Sequence, residues 1–208
     1  MEAGALEWRE FPELETPRLR LRPITAQDAE PLFGIFGSEQ VMRYYGRHPM
    51  IELMEAEEMI ERFRLLYLEL RGIRWGIELK QERRLLGTVG FHSWVHGYQR
   101  AELGYELETV AQGQGYATEA LEAAISYGFG PMGLNRISAL VYPDNEASAR
   151  LLQRMGFRLE GLLEQYALFC ERYEDLHMFG LVKQRWMAEC ETSGLVEGEV
   201  ERSRERRK

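Results

Sequence analysis

Polar and apolar residues alternate from Arg18 to Arg22, the two-residue period of a half-buried strand, and Pro23 then stops the ladder. Thr25 can cap a helix with Asp28 three residues on, and Ala29, Leu32, Phe33 and Phe36 follow at helical spacing. From Glu52 to Glu69, Met59, Phe63, Leu66 and Leu70 share one face amid charges, which predicts a longer helix closed by Gly72. The period then changes. Ile73 to Leu79 and Leu85 to Phe91 read as strands joined by the polar Gln81-Glu82-Arg83-Arg84. Ala101 to Leu107 predicts a third, with Leu103, Tyr105 and Leu107 on one face and Glu102, Gly104 and Glu106 on the other. Thr118 to Phe129 returns to helical spacing, Arg136 to Tyr142 is a short strand, and Asn145 can cap a helix through Arg154 that ends at Gly156. Two closing strands are expected, from about Phe157 onward and from about Tyr173 to Val182.

The resulting order, β-α-α-β-β-β-α-β-α-β-β, mixes a meander with β-α-β units and so implies an α/β (α+β) protein whose mixed sheet carries helices on both faces. The 208 residues suit one domain, and 45% apolar with 29% charged residues is enough to bury a core. Residues 1–15 are read as an N-terminal extension, 16–185 as the domain, and 186–208 as a charged C-terminal tail that frays or forms a solvated helix.

A net charge of −8 disfavours nonspecific attraction to nucleic acid or anionic membranes and suits a cationic partner. Cys170 and Cys190 form no Cys-x-x-Cys pair, and His48, His92, His96 and His177 are scattered, so no metal site is expected. With no leader-like start and no long apolar run, the chain reads as cytoplasmic.

The most informative stretch is Gln112-Gly113-Gln114-Gly115-Tyr116-Ala117, between a strand and the helix entered at Thr118. Glycines at alternate positions let backbone amides turn toward one point, and the helix behind adds its positive end, which makes an anion cradle. A dinucleotide fingerprint starting at Gly113 would end on Thr118, after a strand of the wrong context, and the Gly-Lys-Ser/Thr of a nucleoside-triphosphate loop does not occur.

Gln112-x-x-Gly115-x-Ala117 matches the Gln/Arg-x-x-Gly-x-Gly/Ala signature of the GNAT superfamily of acetyl-CoA-dependent N-acetyltransferases. The surrounding sequence resembles its ribosomal-protein (RimJ/RimL-like) branch. The resemblance begins at Glu15-Thr16-Pro17-Arg18-Leu19-Arg20-Leu21-Arg22 and runs through Gly87-Thr88-Val89-Gly90 and Ala101-Glu102-Leu103-Gly104-Tyr105. It continues with the glycine turn up to Glu119-Ala120, then Asn145-x-x-Ser148, Gly156-Phe157, Glu160-Gly161 and Tyr173-x-Asp175. It implies a single-domain GNAT fold with a mostly antiparallel sheet of about seven strands. Residues 1–12 and 187–208 lie outside it.

What the resemblance implies for the site follows residue by residue. The backbone of Gln112, Gly113, Gln114, Gly115, Tyr116 and Ala117 would bind the coenzyme A diphosphate. The main chain of Leu107, Glu108 and Thr109 would pair with the pantetheine arm as an added strand does, and Asn145 would hydrogen-bond the same arm. A backbone N–H near Leu107 would hold the oxyanion.

The acceptor ammonium must first lose a proton, and carboxylates are the candidates. Glu102 and Glu106 stand ~13 Å apart along one strand face at ~3.3 Å per residue, so only one can reach the thioester. Glu102 is the expected base, with Glu106 and Glu160 as substitutes. Many superfamily members protonate the leaving thiolate from a tyrosine seven residues after the asparagine, which here is Leu152; the ribosomal-protein branch has a serine three residues after it, here Ser148. Tyr44, Tyr45 and His48 are candidates for the acceptor cleft.

Direct transfer without an acyl-enzyme is expected, since Cys170, in an expected closing strand, has no adjacent base in sequence. The acceptor is expected to be a protein α-amine. A small amine of the polyamine, antibiotic or amino-acid type is the alternative, as is a non-catalytic acetyl-CoA-binding module. The protein is expected as a monomer or homodimer.

Overall fold

The computed structural model describes residues 11–192, and side chains through residue 188. Expectations for residues 1–10, for the tail from residue 193 and for the Cys190 side chain lie outside the described residues. The described chain forms eight strands and six α-helices. The strands are β1 (Leu14–Glu15), β2 (Leu19–Arg22), β3 (Ile73–Leu79), β4 (Arg84–Val95), β5 (Arg100–Leu107), β6 (Arg136–Val141), β7 (Arg158–Phe169) and β8 (Arg172–Val182). The helices are α1 (Ala29–Phe36), α2 (Glu39–Met42), α3 (Leu53–Leu68), α4 (Tyr116–Phe129), α5 (Glu146–Arg154) and α6 (Lys183–Thr192). Neighbouring strands hydrogen-bond in the order β1-β2-β3-β4-β5-β6-β8-β7. The β5–β6 pairing is parallel, and β1–β2, β2–β3, β3–β4, β6–β8 and β7–β8 are antiparallel.

The sheet of about seven strands that was expected is present with eight, the additional one being the two-residue β1, which pairs Leu14 with Leu21 and Glu15 with Arg20. Two residues show no period, so only the pairing reveals the strand. The four-residue α2 escapes a periodicity reading for the same reason.

Two compact units divide the chain: one holds Leu103–Ala124 and the described residues up to Ser93, the other holds Trp94–Glu102 and the described residues from Ile125. In the first, α1 and α3 bury Leu32, Ile35, Phe36, Ala56 and Met59 together with Met42, Met50 and Leu85. Each large apolar side chain so buried contributes roughly 1.5–3 kcal/mol. The Asp28 carboxylate accepts from the Thr25 N–H (2.8 Å) and is paired with Arg22 (2.8 Å), which fixes the chain as it leaves β2. The helix α3 ends at Leu68, before the expected stop. Leu70 takes a left-handed φ of 55° and lies exposed, and Tyr67 is the buried residue of the last turn. Gly87 on β4 faces β5 so closely that an added Cβ would lie 2.0 Å from the Glu106 carbonyl oxygen.

In the second unit, β6 runs between β5 and β8, and Phe129, Leu134, Ile137, Leu152, Phe179 and Leu181 are buried. The helix α5 spans Glu146–Arg154 as its cap and terminal glycine predicted, with Gly156 at φ 83°. Cys170 lies in the turn between β7 and β8, at φ 49° and exposed, rather than in a strand. No described helix is long and apolar enough to cross a membrane.

Candidate active site

After Leu107 the chain makes a 3-10 turn over Thr109–Ala111, then the turn Gln112 to Gly115, then α4. The helix begins at Tyr116 rather than Thr118, so Tyr116 and Ala117 belong to its first turn. Gly113 and Gly115 have φ of +74° and +81°, a region an L side chain enters only at a cost. The first bond closing α4 runs from the Glu119 N–H to the Gly115 carbonyl at 3.1 Å. The amides of Tyr116, Ala117 and Thr118 come before that bond, at the positive end of the helix.

The turn is braced from within. The Gln112 Nε2 donates to the Leu107 carbonyl (3.1 Å) and the Gln114 Nε2 to the Val110 carbonyl (2.7 Å). The Glu108 N–H donates to the Leu86 carbonyl (2.8 Å), and the Glu108 carboxylate pairs with Arg84.

It is also braced from the N-terminal side by residues the sequence did not single out for the site. The Glu119 carboxylate accepts from the Thr16 hydroxyl (2.6 Å), the Arg18 N–H (2.7 Å) and the Arg18 Nε (2.6 Å). Burial pushes this carboxyl up, but the bonds from Thr16 and Arg18 outweigh it, and the net pKa is below the usual glutamate value. The Arg18 Nη1 donates to the Gln114 carbonyl (3.0 Å), and the guanidinium lies 4.5 Å from the centre of the Tyr116 ring. Alternation placed Arg18 on a solvent face, and the only sequence signal for its role was its place in the Thr16-Pro17-Arg18 opening.

A second cluster in the same unit surrounds Glu106. The Arg74 Nε donates to the Thr88 hydroxyl (2.9 Å), its Nη1 to the Gly104 carbonyl (3.0 Å), and its Nη2 to the Glu106 carboxylate. Thr88 donates to that same carboxylate oxygen at 2.7 Å. Tyr45 packs edge-on against Phe36 at 5.3 Å; burial first, then the Glu106 charge, raise its pKa. His48 lines a pocket of about 150 Å³ with Met42, Arg47, Met50, Glu55, Glu58, Met59 and Arg62. Tyr44 lies under the Arg43 guanidinium at 5.2 Å.

The remaining candidates stand in the other unit. Asn145 caps α5, its Oδ1 accepting from the Ser148 N–H at 3.2 Å, so these two are brought together. Ser148 is half-buried in the first turn, whereas Leu152 one turn on is fully buried. Glu102 is half-buried and sits opposite Ser138 in the β5–β6 register. Glu160 is paired with Arg136 (2.9 Å), whose hydrogen bond holds its carboxyl below the usual glutamate value.

A strand, a double-glycine turn and the open end of a helix form a backbone arrangement suited to an anionic ligand. The acetyltransferase (GNAT) domain family matches residues 18–158, and the chain belongs to that family of acetyl-CoA-dependent N-acetyltransferases. The uncharacterized N-acetyltransferase YoaA of Bacillus subtilis (strain 168) is 47% identical over 175 residues, 84% of this chain and 99% of the relative. The spermidine N(1)-acetyltransferase of Escherichia coli (strain K12) is 25% identical over 85% of this chain and 92% of its own length. Mycobacterium smegmatis RimJ, solved with a CoA-disulfide, shares the fold at a TM-score of 0.75, with 24% identity over 85% of this chain and 89% of that one.

Proposed function

We propose that this N-acetyltransferase is a cytoplasmic enzyme that acetylates the α-amine of a protein N-terminus. The observation that carries the reading is the pair Ser148 and Leu152. The position where many superfamily members keep a proton-donating tyrosine is a fully buried leucine, and Ser148 stands where the ribosomal-protein branch has its serine.

The coenzyme enters the reading through the backbone of Gln112 to Ala117. An added Cβ at Gly113 would meet nothing within 4 Å, so the turn is open there, and amides ahead of the first helical bond are suited to a diphosphate. The main chain of Leu107 to Thr109 flanks the pantetheine arm, and Asn145, whose Oδ1 is held by Ser148, has its Nδ2 left to donate to it. Acetyl-CoA supplies an activated acyl group and a leaving thiolate. Glu102 takes the proton from the acceptor ammonium, an N–H near Leu107 holds the oxyanion, and Ser148 protonates or anchors the departing sulfur. Glu106, paired with Arg74, and Glu160, paired with Arg136, are the substitutes. Transfer is direct, within a ternary complex.

A small polyamine is the second reading, favoured by the 25% identity to a spermidine acetyltransferase and by the net charge of −8. Thiol release from acetyl-CoA, followed with a panel of N-terminal peptides and with spermidine, separates the two. Turnover with peptides supports the proposal, turnover with spermidine alone replaces it, and thiol release with neither leaves a coenzyme-binding module.

A further inference from the structure

Resting on the reading of the glycine turn as the diphosphate cradle, we propose that Arg18 is a positioning residue. It locks the Gln114–Gly115 peptide in the orientation that presents the Gly115 amide to the ligand. The physical reason begins with the peptide bond. In a planar trans peptide the carbonyl of one residue and the N–H of the next point in opposite directions. The Arg18 Nη1 holds the Gln114 carbonyl at 3.0 Å, so the Gly115 N–H is turned to the other side.

Without that bond the plane is poorly determined. It hinges on one side at Gly115, whose φ is +81°, a residue that rotates through both halves of φ space at little cost, and Gly113 at φ +74° lies one residue further back. A flipped plane would direct a carbonyl oxygen at an anion in place of an N–H.

Arg18 is itself held by two further contacts. Its Nε donates to Glu119 at 2.6 Å, and its Cζ lies 4.5 Å from the Tyr116 ring centre. Glu119 largely neutralises its charge, so what the guanidinium adds is direction. That needs a planar fork, which reaches a carboxylate and a carbonyl at once; an ammonium is a single point charge.

The full-length protein and its Arg18→Met and Arg18→Lys variants test this. Coenzyme A affinity is measured by calorimetry, and turnover is measured with acetyl-CoA and with S-acetylpantetheine, which has the thioester but no diphosphate. Loss of one charge-assisted hydrogen bond predicts an affinity for coenzyme A roughly tenfold or more weaker in Arg18→Met. Turnover with S-acetylpantetheine should stay within about twofold of the wild type, within the spread expected of a distant surface change. Arg18→Lys should fail to restore affinity. Equal losses with both thioesters would make Arg18 a general brace of the fold and overturn the proposal, as would unchanged coenzyme A affinity or full rescue by lysine. Absence of coenzyme A binding by the wild-type chain would instead overturn the cradle reading on which the proposal stands.

Discussion

Arg74 on β3 and Glu106 on β5 form an ion pair in which the arginine side chain is 7% exposed and the glutamate 11%. The pair spans three strands, because Thr88 on β4 bonds to both partners. It therefore joins the strand that leads into the glycine turn to the strands beside it. Removing one partner of a buried pair strands the other charge, at a cost of roughly 3–5 kcal/mol. Glu106→Leu should lower stability by about that amount, and Thr88→Val by about 1–3 kcal/mol, since it leaves polar groups unbonded. Urea denaturation monitored by tryptophan fluorescence measures both, and wild-type stability in Glu106→Leu would show the pair to be unimportant.

His92 should remain neutral at physiological pH. Its ring is solvent-accessible at one side yet sits beside Arg74, and lost hydration followed by that positive charge pushes its pKa down to about 4. A depressed histidine pKa means that the unfolded chain binds the proton first, so its contribution to stability is complete above about 6.5 and is lost as pH falls toward the folded value. An NMR titration of the imidazole should give a midpoint near 4, and a midpoint near 6.5 contradicts it.

The two glycines of the turn should respond unequally. Alanine at either position carries the left-handed penalty of about 1–2 kcal/mol. At Gly113 the new methyl group meets open space, whereas at Gly115 it also crowds Arg18 at 3.3 Å. Gly115→Ala should weaken coenzyme A binding more than Gly113→Ala in calorimetry; the reverse order would mean that the turn engages its ligand through Gly113.

Kinetics separate the proposed base from the proposed donor. Glu102→Gln should lower kcat by about 10²-fold or more and remove the acidic limb of the pH profile, with coenzyme A affinity retained. Ser148→Ala should lower kcat less, since a coenzyme A thiolate leaves readily even with a modest donor. Unchanged kinetics in Glu102→Gln would move proton removal to water or to another carboxylate.

Cys170→Ser should leave turnover and coenzyme A affinity as they are. The thiol lies exposed in the turn between β7 and β8. Intact-mass spectrometry of the wild-type protein with acetyl-CoA and no acceptor checks the same point, and a stable 42 Da adduct on Cys170 would require a two-step route (about one acetyl group by mass).

The glycine turn and the helix-capping Asn145 were legible because their chemistry is local. Glycines at alternate positions allow the positive φ this turn adopts, and an Asn side chain caps the helix that starts next to it, so spacing points to both. The periods of β3, β5, α4 and α5 were legible for a related reason, since each presents one face to a core. The two-residue β1 and four-residue α2 were not, as neither is long enough to show a period. Arg18 and Arg74 looked like ordinary polar positions of alternating strands. Their partners, Glu119 and Glu106, lie 101 and 32 residues away in the chain. The amino-acid order thus determined which segments become strands and helices and where backbone amides are exposed. Which guanidinium orients the glycine turn, and which carboxylate is already held by a charge, depended on side chains distant in sequence meeting at short range, where electrostatic and hydrogen-bond energies are decided.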